Sequence, residues 1–322
     1  MSENKYSGKR IVYMGTPDFA VPPLSMLAEE GYQVVGVVTQ PDKPKGRGKT
    51  LQPTPVKEEA LKYGIPVYQP VKVREEGFFE ILKELAPDLI IVAAFGQIIP
   101  ERILNLPEFG CVNIHASLLP KYRGAAPIQH ALIHGEKETG VTLMQMSMGL
   151  DTGDMLNRIV VPISPLDTGG SLFDRLSETG AVLLRESLPD LFEGKLEPEP
   201  QPENSPTPYA SMIRKEMGDM DFTGDAVYLE RLVRALSPWP GAYTHMNGKT
   251  LKIWGCSVRQ ESAETAVPGT ILSAGKEGIL VQCGSGCLLL TEVQLEGKKR
   301  MEADAFLRGY HIEEGTLLTK AE

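Results

Sequence analysis

The sequence predicts an α/β fold: a doubly wound, mainly parallel sheet followed by a second, small β-barrel domain. Three observations carry this expectation. Apolar strand-like runs alternate with helix-spaced segments through roughly the first two hundred residues. The stretch GKLEPEPQPENSPTP at 194–208 then favours neither regular structure and reads as an extended spacer. Beyond it, short strands alternate with Gly-rich turns. The expected division is an α/β domain at 1–193, a Pro-rich linker at 194–208 and a barrel-like domain at 209–322.

The first strands are Arg10-Ile-Val-Tyr-Met14, Gln33-Val-Val-Gly-Val-Val-Thr39 and Leu89-Ile-Ile-Val-Ala-Ala94. Each is a nearly continuous apolar run, as a strand covered on both faces requires. Between the second and third, Phe78, Phe79, Ile81, Leu82 and Leu85 fall on one helical face. Such alternation implies parallel strands joined by right-handed crossovers, with ligands bound beyond the strand carboxyl ends. A further strand, Cys111-Val-Asn-Ile-His115, departs from the apolar rule. A helix over 126–134, a strand over Val141–Met146 and a turn at 149–154 follow. After the linker, Leu229, Leu232, Val233 and Leu236 mark a helix over 225–236, which the prolines of SPWPGAY end. Strands are expected at 250–254, 269–272, 278–282 and 287–293. They suit a small barrel or a sandwich, and a five-stranded oligonucleotide-binding-type barrel is one fit.

At 322 residues the chain is long enough for two domains with separate cores. No apolar run approaches the ~20 residues that cross a bilayer, and the polar residues ahead of Arg10 leave no room for a signal or transit peptide. A cytoplasmic protein without membrane contact is expected, and a monomer, since nothing demands a dimer. A net charge of -9 excludes coating nucleic acid through an overall basic surface, so any such contact must be local. Cys111, Cys256, Cys283 and Cys287 form neither a disulfide framework nor a zinc set. Cys283 and Cys287 read as facing residues of a hairpin, and no metal is expected.

Several motifs fail on inspection. Gly15-Thr-Pro-Asp-Phe19 stands where a dinucleotide fold would carry Gly-x-Gly-x-x-Gly but holds one glycine, so a dehydrogenase is disfavoured and Asp18 is expected to cap the next helix. QPDKPKGRGKT at 40–50 ends like a phosphate-cradling loop. Lys43 stands where such a loop needs glycine, however, and Pro53 and Pro55 where its helix should begin, which disfavours ATP. What remains is Lys43, Lys45, Arg47 and Lys49, a cationic cluster in an acidic chain. It is either a solvated loop or a local hand for phosphates, and composition leaves the two even. His130 and His134 lack a third ligand and read as helix-surface residues, while Trp239 and Tyr243 read as packing residues.

The strongest constellation is Asn113, His115 and Asp151. Alternation along a strand puts Asn113 and His115 on one face. Two strands joined through one crossover are usually neighbours, so the turn bearing Asp151 can reach them. An amide donor, an imidazole and a carboxylate suit acyl transfer: Asn to meet a developing oxyanion, His to move or stabilise protons, Asp to set the His or accept an amine's proton. No Gly-x-Ser-x-Gly elbow accompanies them, so direct attack by the acceptor is favoured over an acyl-enzyme. A satisfied polar cluster at a strand end would leave a similar trace.

The stretch NIHASLLPKYRGAAPIQHALIHGEKETGVTLMQMSMGLDTGDM, Asn113 to Met155, resembles the core signature of the 10-formyltetrahydrofolate-dependent formyltransferases. GTPDFA at 15–20, TQPDKPKGRGK at 39–49 and WP at 239–240 extend the likeness over nearly the whole chain, weakening after about residue 255. The resemblance implies a Rossmann-like formyltransferase domain and an OB-like barrel that helps hold tRNA. It implies catalysis by Asn113, His115 and Asp151. Folate would lie against Ser117, Leu118, Leu119 and Pro120, with the backbone of Phe95, Gly96 and Gln97 and the Asp151 loop enclosing its pterin ring. Lys43, Lys45, Arg47 and Lys49 would contact the acceptor end of tRNA, with Lys298, Lys299 and Arg300 helping to guide it. The implied donor is 10-formyltetrahydrofolate, released as tetrahydrofolate, and the implied acceptor is initiator methionyl-tRNA. Rivals are formylation of an amino-sugar nucleotide or of glycinamide ribonucleotide, folate hydrolysis, and a non-catalytic RNA-binding role.

Overall fold

The computed structural model describes residues 4–45, 50–260 and 266–320. The chain forms two units. The first comprises Met1–Pro127, Glu138–Pro162 and Phe173–Ala210; the second comprises Ile128–Lys137, Ile163–Leu172 and Ser211–Glu322. Two short pieces that precede residue 193 thus belong to the second unit, and the Pro-rich stretch 194–208 belongs to the first.

The strands of the first unit are β1 (Arg10–Gly15), β2 (Gln33–Val38), β3 (Lys43–Lys45), β4 (Thr50–Gln52), β5 (Val67–Tyr68), β6 (Leu89–Ala93), β7 (Cys111–His115), β8 (Glu138–Gln145) and β9 (Met155–Pro162). β3 and β4 pair with each other as an antiparallel hairpin. The rest form one sheet in the order β5-β2-β1-β6-β7-β8-β9. β5 through β7 run parallel, while β8 and β9 are antiparallel additions. From β1 the chain moves outward to β2 and β5, then returns to β6 and β7 on the other side. The carboxyl ends of β1 and β6 are therefore the topological switch point, where a crevice opens.

The helices are α1 (Val21–Glu29), α2 (Pro55–Lys62), α3 (Glu76–Leu85), α4 (Glu101–Leu104), α5 (Pro127–His134) and α6 (Gly169–Phe192). Asp18 does not cap α1: a 3-10 turn over Asp18–Ala20 comes first, and Ala20 is the cap, without a side-chain bond. Proline in the first turn starts the helix instead, because its missing N–H would have had no partner there. α2 has both devices, with Pro55 in its first turn and the Thr54 hydroxyl accepting from Lys57 N. α3 buries Phe78 and Leu82, as its spacing predicts, against Val12, Met14, Ile90, Val92 and Cys111.

In the second unit, α7 (Ala226–Ala235) is capped by Asp225, whose carboxylate accepts from Val227 N and Tyr228 N. The strands β10 (Ala242–Met246), β11 (Lys249–Arg259), β12 (Ile271–Gly275), β13 (Gly278–Gln282), β14 (Cys287–Leu295) and β15 (Met301–Glu302) lead into α8 (Ala303–Gly309). They form an antiparallel sheet ordered β10-β11-β14-β13-β12, with β15 on β14. The tail joins both ends of this order: Thr319 pairs with His245 on β10, and Ile271 N on β12 donates to Thr316 O. That pairing gives the barrel-like closure expected and covers both edges. β11 runs well past the expected 250–254, because irregularities around Gly255 let it bend without ending. Cys287 pairs with Gln282 rather than Cys283, which lies in the turn. Trp239 is 56% exposed, contrary to its expected packing role, because the SPWPGAY turn carries it over the surface.

Leu82 is fully buried and Leu61, on α2, is 60% exposed. Leu82→Ala is expected to lower unfolding free energy by about 2–5 kcal/mol and Leu61→Ala by under about 0.5 kcal/mol, measured by urea denaturation.

Candidate active site

β7 explains how two polar side chains come to stand at a sheet end. In register, Val12 lies beside Ile90, which lies beside Cys111; one pleat on, Met14 lies beside Val92, which lies beside Asn113. Residues paired across strands share a face, so Cys111, Asn113 and His115 follow the core cluster under α3 outward to the carboxyl end. Ile114 faces the other way: a Cβ placed on Gly180 of α6 would stand 3.0 Å from Ile114 Cγ2. Asn113 is half-buried, and its amide has no hydrogen-bond partner among the described residues. An amide so placed is a donor held in reserve.

His115 is buried, and its Nε2 lies 3.1 Å from the carbonyl oxygen of Tyr122. A carbonyl can only accept, so Nε2 carries a hydrogen and Nδ1 is left for other partners. Nδ1 faces Asp151 Oδ1 at 3.8 Å, with side-chain exposures of 7% and 13%. Asp151 Oδ2 in turn accepts from Gly124 N at 2.9 Å. Asn113, His115 and Asp151 therefore share one end of the sheet, Asn113 and His115 lying about 7 Å apart along the strand.

The route by which Asp151 arrives differs from the crossover expected. β8 is antiparallel to β7, and Met146 N donates to Cys111 O at the wrong end of the strand. The loop between β8 and β9 must then double back along β7. Its backbone shows the cost: Asp151 has φ 53°, a left-handed conformation that side chains other than glycine adopt sparingly. Gly153 is required there, since a Cβ would stand 1.7 Å from Gln145 O.

Among the residues expected to meet folate, Ser117 and Leu119 are buried, and the Ser117 hydroxyl donates to Lys121 O. Leu118 and Pro120 remain partly open and, with Tyr122, Glu138 and Pro206, line a cavity of about 270 Å³. Phe95 is buried, but its carbonyl is held by Thr16 Oγ1 and Gln40 Nε2, while Gln97 Oε1 accepts from Val73 N. These bonds present Ala94 and Gly96, both exposed and left-handed, at the end of β6 beside the switch point. A flat ring could approach that bare backbone, so these residues fit a folate. A second cleft of about 400 Å³ is lined by Thr16, Gln40, Lys43, Gln52 and Thr54, at the ends of β1 and β2.

Two residues of the basic cluster lie on the β3–β4 pair: Lys43 is exposed and pairs with Gln52, and Lys45 pairs with Thr50. Arg47 and Lys49 lie outside the described residues. In the second unit Arg300 is paired with Glu292 and stacks on Trp254. His130 Nε2 is engaged by Ser211 O, and among the described residues no group of three ligand-type side chains could hold a metal. Cys111, on the site strand, is a thiol that burial pushes up to about 12, so it offers no thiolate nucleophile. Missed by sequence reasoning were Tyr122, Gly124, Arg123 and Gln201, which surround the His115 and Asp151 contacts. The first two act through backbone atoms, which leave no residue-type signal.

Residues 9–188 match the formyl transferase family, and residues 212–311 match the formyl transferase C-terminal domain. The methionyl-tRNA formyltransferase of Agathobacter rectalis is 54% identical over 310 residues, covering 96% of this chain and 99% of that protein. That of Bacillus subtilis is 51% identical over 310 residues, covering 96% and 97%. Among solved structures, the N-formyltransferase from Helicobacter canadensis, in complex with folinic acid and dTDP-3-aminofucose, shares the fold with a TM-score of 0.65 at 20% identity, covering 88% of this chain and 98% of its own. On this footing the chain belongs to the formyl transferase family.

Proposed function

We propose that this chain transfers the formyl group of 10-formyltetrahydrofolate to the α-amine of methionine esterified to initiator tRNA, for translation initiation. The observation that carries the reading is identity of about half over nearly full length to enzymes named for that reaction. The arrangement of Asn113, His115 and Asp151 supplies the chemistry. The same reading takes the protein to act as a cytoplasmic monomer, and no helix among the described residues is long and apolar enough to cross a membrane.

The bound donor supplies a one-carbon carbonyl. An α-amine with a pKa of about 8 is partly neutral near pH 7 and attacks that carbon directly. Asn113 Nδ2 donates to the formyl oxygen as negative charge builds there, a contact whose loss costs about 3 kcal/mol in acyl transfers. His115 Nδ1, left open by the Tyr122 bond, takes the proton the amine loses. Asp151 steadies the imidazolium across 3.8 Å. The proton is passed to N10 as its bond to the formyl carbon breaks, so tetrahydrofolate leaves with N10–H. The sequence left His115 available to donate to the oxygen; its commitment to Tyr122 favours the proton-carrying role.

Leu118, Pro120 and the backbone at Phe95, Gly96 and Gln97 would hold the folate, and Lys43, Lys45, Arg47 and Lys49 the phosphates near the acceptor end of tRNA. A local basic cluster on an acidic protein suits a contact of this kind. An amino-sugar acceptor remains the rival with the same trio, and relatives named for methionyl-tRNA weigh against it.

Incubated with labelled donor, charged and uncharged initiator tRNA and free amino sugars, the protein is expected to label charged tRNA alone; label on the sugar would overturn the acceptor assignment. Asn113→Ala and Asp151→Asn should each lower kcat by about a hundredfold or more with the melting temperature little changed, and near-normal kcat in either removes that residue's role. Arg47→Ala should raise KM for methionyl-tRNA about tenfold and leave KM for the donor unchanged; unaltered rates at low tRNA concentration would contradict the contact by the basic cluster.

A further inference from the structure

The Pro-rich stretch after α6 does more than connect. Glu199 pairs with Met155, Ser205 Oγ donates to Pro120 O at 2.9 Å, and Thr207 Oγ1 accepts from Tyr122 N at 2.7 Å. At its centre, Gln201 Nε2 donates to two carbonyls of the catalytic loop, Asp151 O at 3.0 Å and Gly153 O at 2.7 Å. Gln201 Oε1 accepts from Arg123 Nε at 3.0 Å. The other arms of that guanidinium reach Pro202 O at 2.7 Å and Glu203 O at 3.1 Å.

Arg123 is only 7% exposed and forms no ion pair with any described residue. A buried guanidinium met by neutral oxygens alone is costly to keep, and a fold that needed only to glue a spacer down had cheaper means. Its location is what it contributes. On either side of it in sequence, Tyr122 O receives His115 Nε2 and Gly124 N holds Asp151 Oδ2. The ring closes through Gln201, which grips Asp151 by its backbone while Gly124 grips it by its carboxylate.

We propose that Gln201 and Arg123 are positioning residues that aim Asp151 at His115, so that the stretch between the two family domains is part of the catalytic apparatus. This rests on the function proposed above. The left-handed φ of Asp151 is the conformation the device must hold, since an unsupported aspartate would relax out of it. Gln201 suits the task because one amide donates to the loop and accepts from the guanidinium at once.

The test uses the full chain. Gln201→Glu keeps an acceptor for Arg123 but sets a carboxylate against two carbonyls, and Gln201→Leu removes both functions. Both should lower kcat about 10- to 100-fold, the penalty for a displaced catalytic group, with KM for the donor and for methionyl-tRNA within about twofold of the parent. Gln201→Glu should keep its melting temperature. In an Asp151→Asn background, Gln201→Glu should cost less than about a further twofold in the residual rate, because it acts through Asp151. Parental kcat in both single variants, a loss that follows the melting temperature, or a full multiplicative loss in the double variant would overturn the proposal. Asp151→Asn with parental kcat would remove the catalytic reading and this device with it; Asp151→Asn impaired while both Gln201 variants are normal removes the device alone.

Discussion

The contact between His115 Nε2 and the Tyr122 carbonyl decides how the rest of the site can work. Because the carbonyl only accepts, the bond fixes the ring's orientation and keeps a hydrogen on Nε2. The other ring nitrogen, Nδ1, then faces Asp151. Asn113, two residues back on the same face, keeps an amide without a partner among the described residues, which the proposed reaction uses to meet the formyl oxygen. In the proposed reaction, proton handling and charge stabilisation are divided between two side chains that one strand holds in fixed relation.

That division depends on a sheet that is parallel where it must be and antiparallel where it need not be. The parallel strands from β5 to β7 build a switch-point crevice and end it with bare backbone at Ala94 and Gly96. The antiparallel addition of β8 sends its following loop away from the crevice, and the loop returns only through a left-handed Asp151 and a glycine that admits no Cβ. Strain in this loop is offset from outside it, by Gly124 N and Gln201. The same loop that closes on His115 is thereby tied to the Pro-rich stretch.

Charge is arranged by location rather than total. The protein is acidic overall, at -9, yet Lys43 and Lys45 of its cationic run lie on a short strand pair, and Lys43 lines the cleft at the ends of β1 and β2. Local potential governs an encounter with a polyanion more than net charge does, within a screening distance of about 8–10 Å.

Much was legible in the residues themselves. Continuous apolar runs located β1, β2 and β6, the spacing of Phe78 and Leu82 located α3, and Gly-rich turns located the barrel-like sheet, because burial and periodicity act on neighbours along the chain. Asn113 and His115 stood out because polar groups inside an apolar strand need a reason. What only the tertiary structure decided was which atoms meet: the antiparallel sense of β8, the His115 nitrogen left open, and the conversion of an expected spacer at 194–208 into a brace on Asp151. Each depends on backbone carbonyls and amides, which every residue carries alike, so no residue type announces them; they acquire identity only when the fold brings distant segments within hydrogen-bond reach.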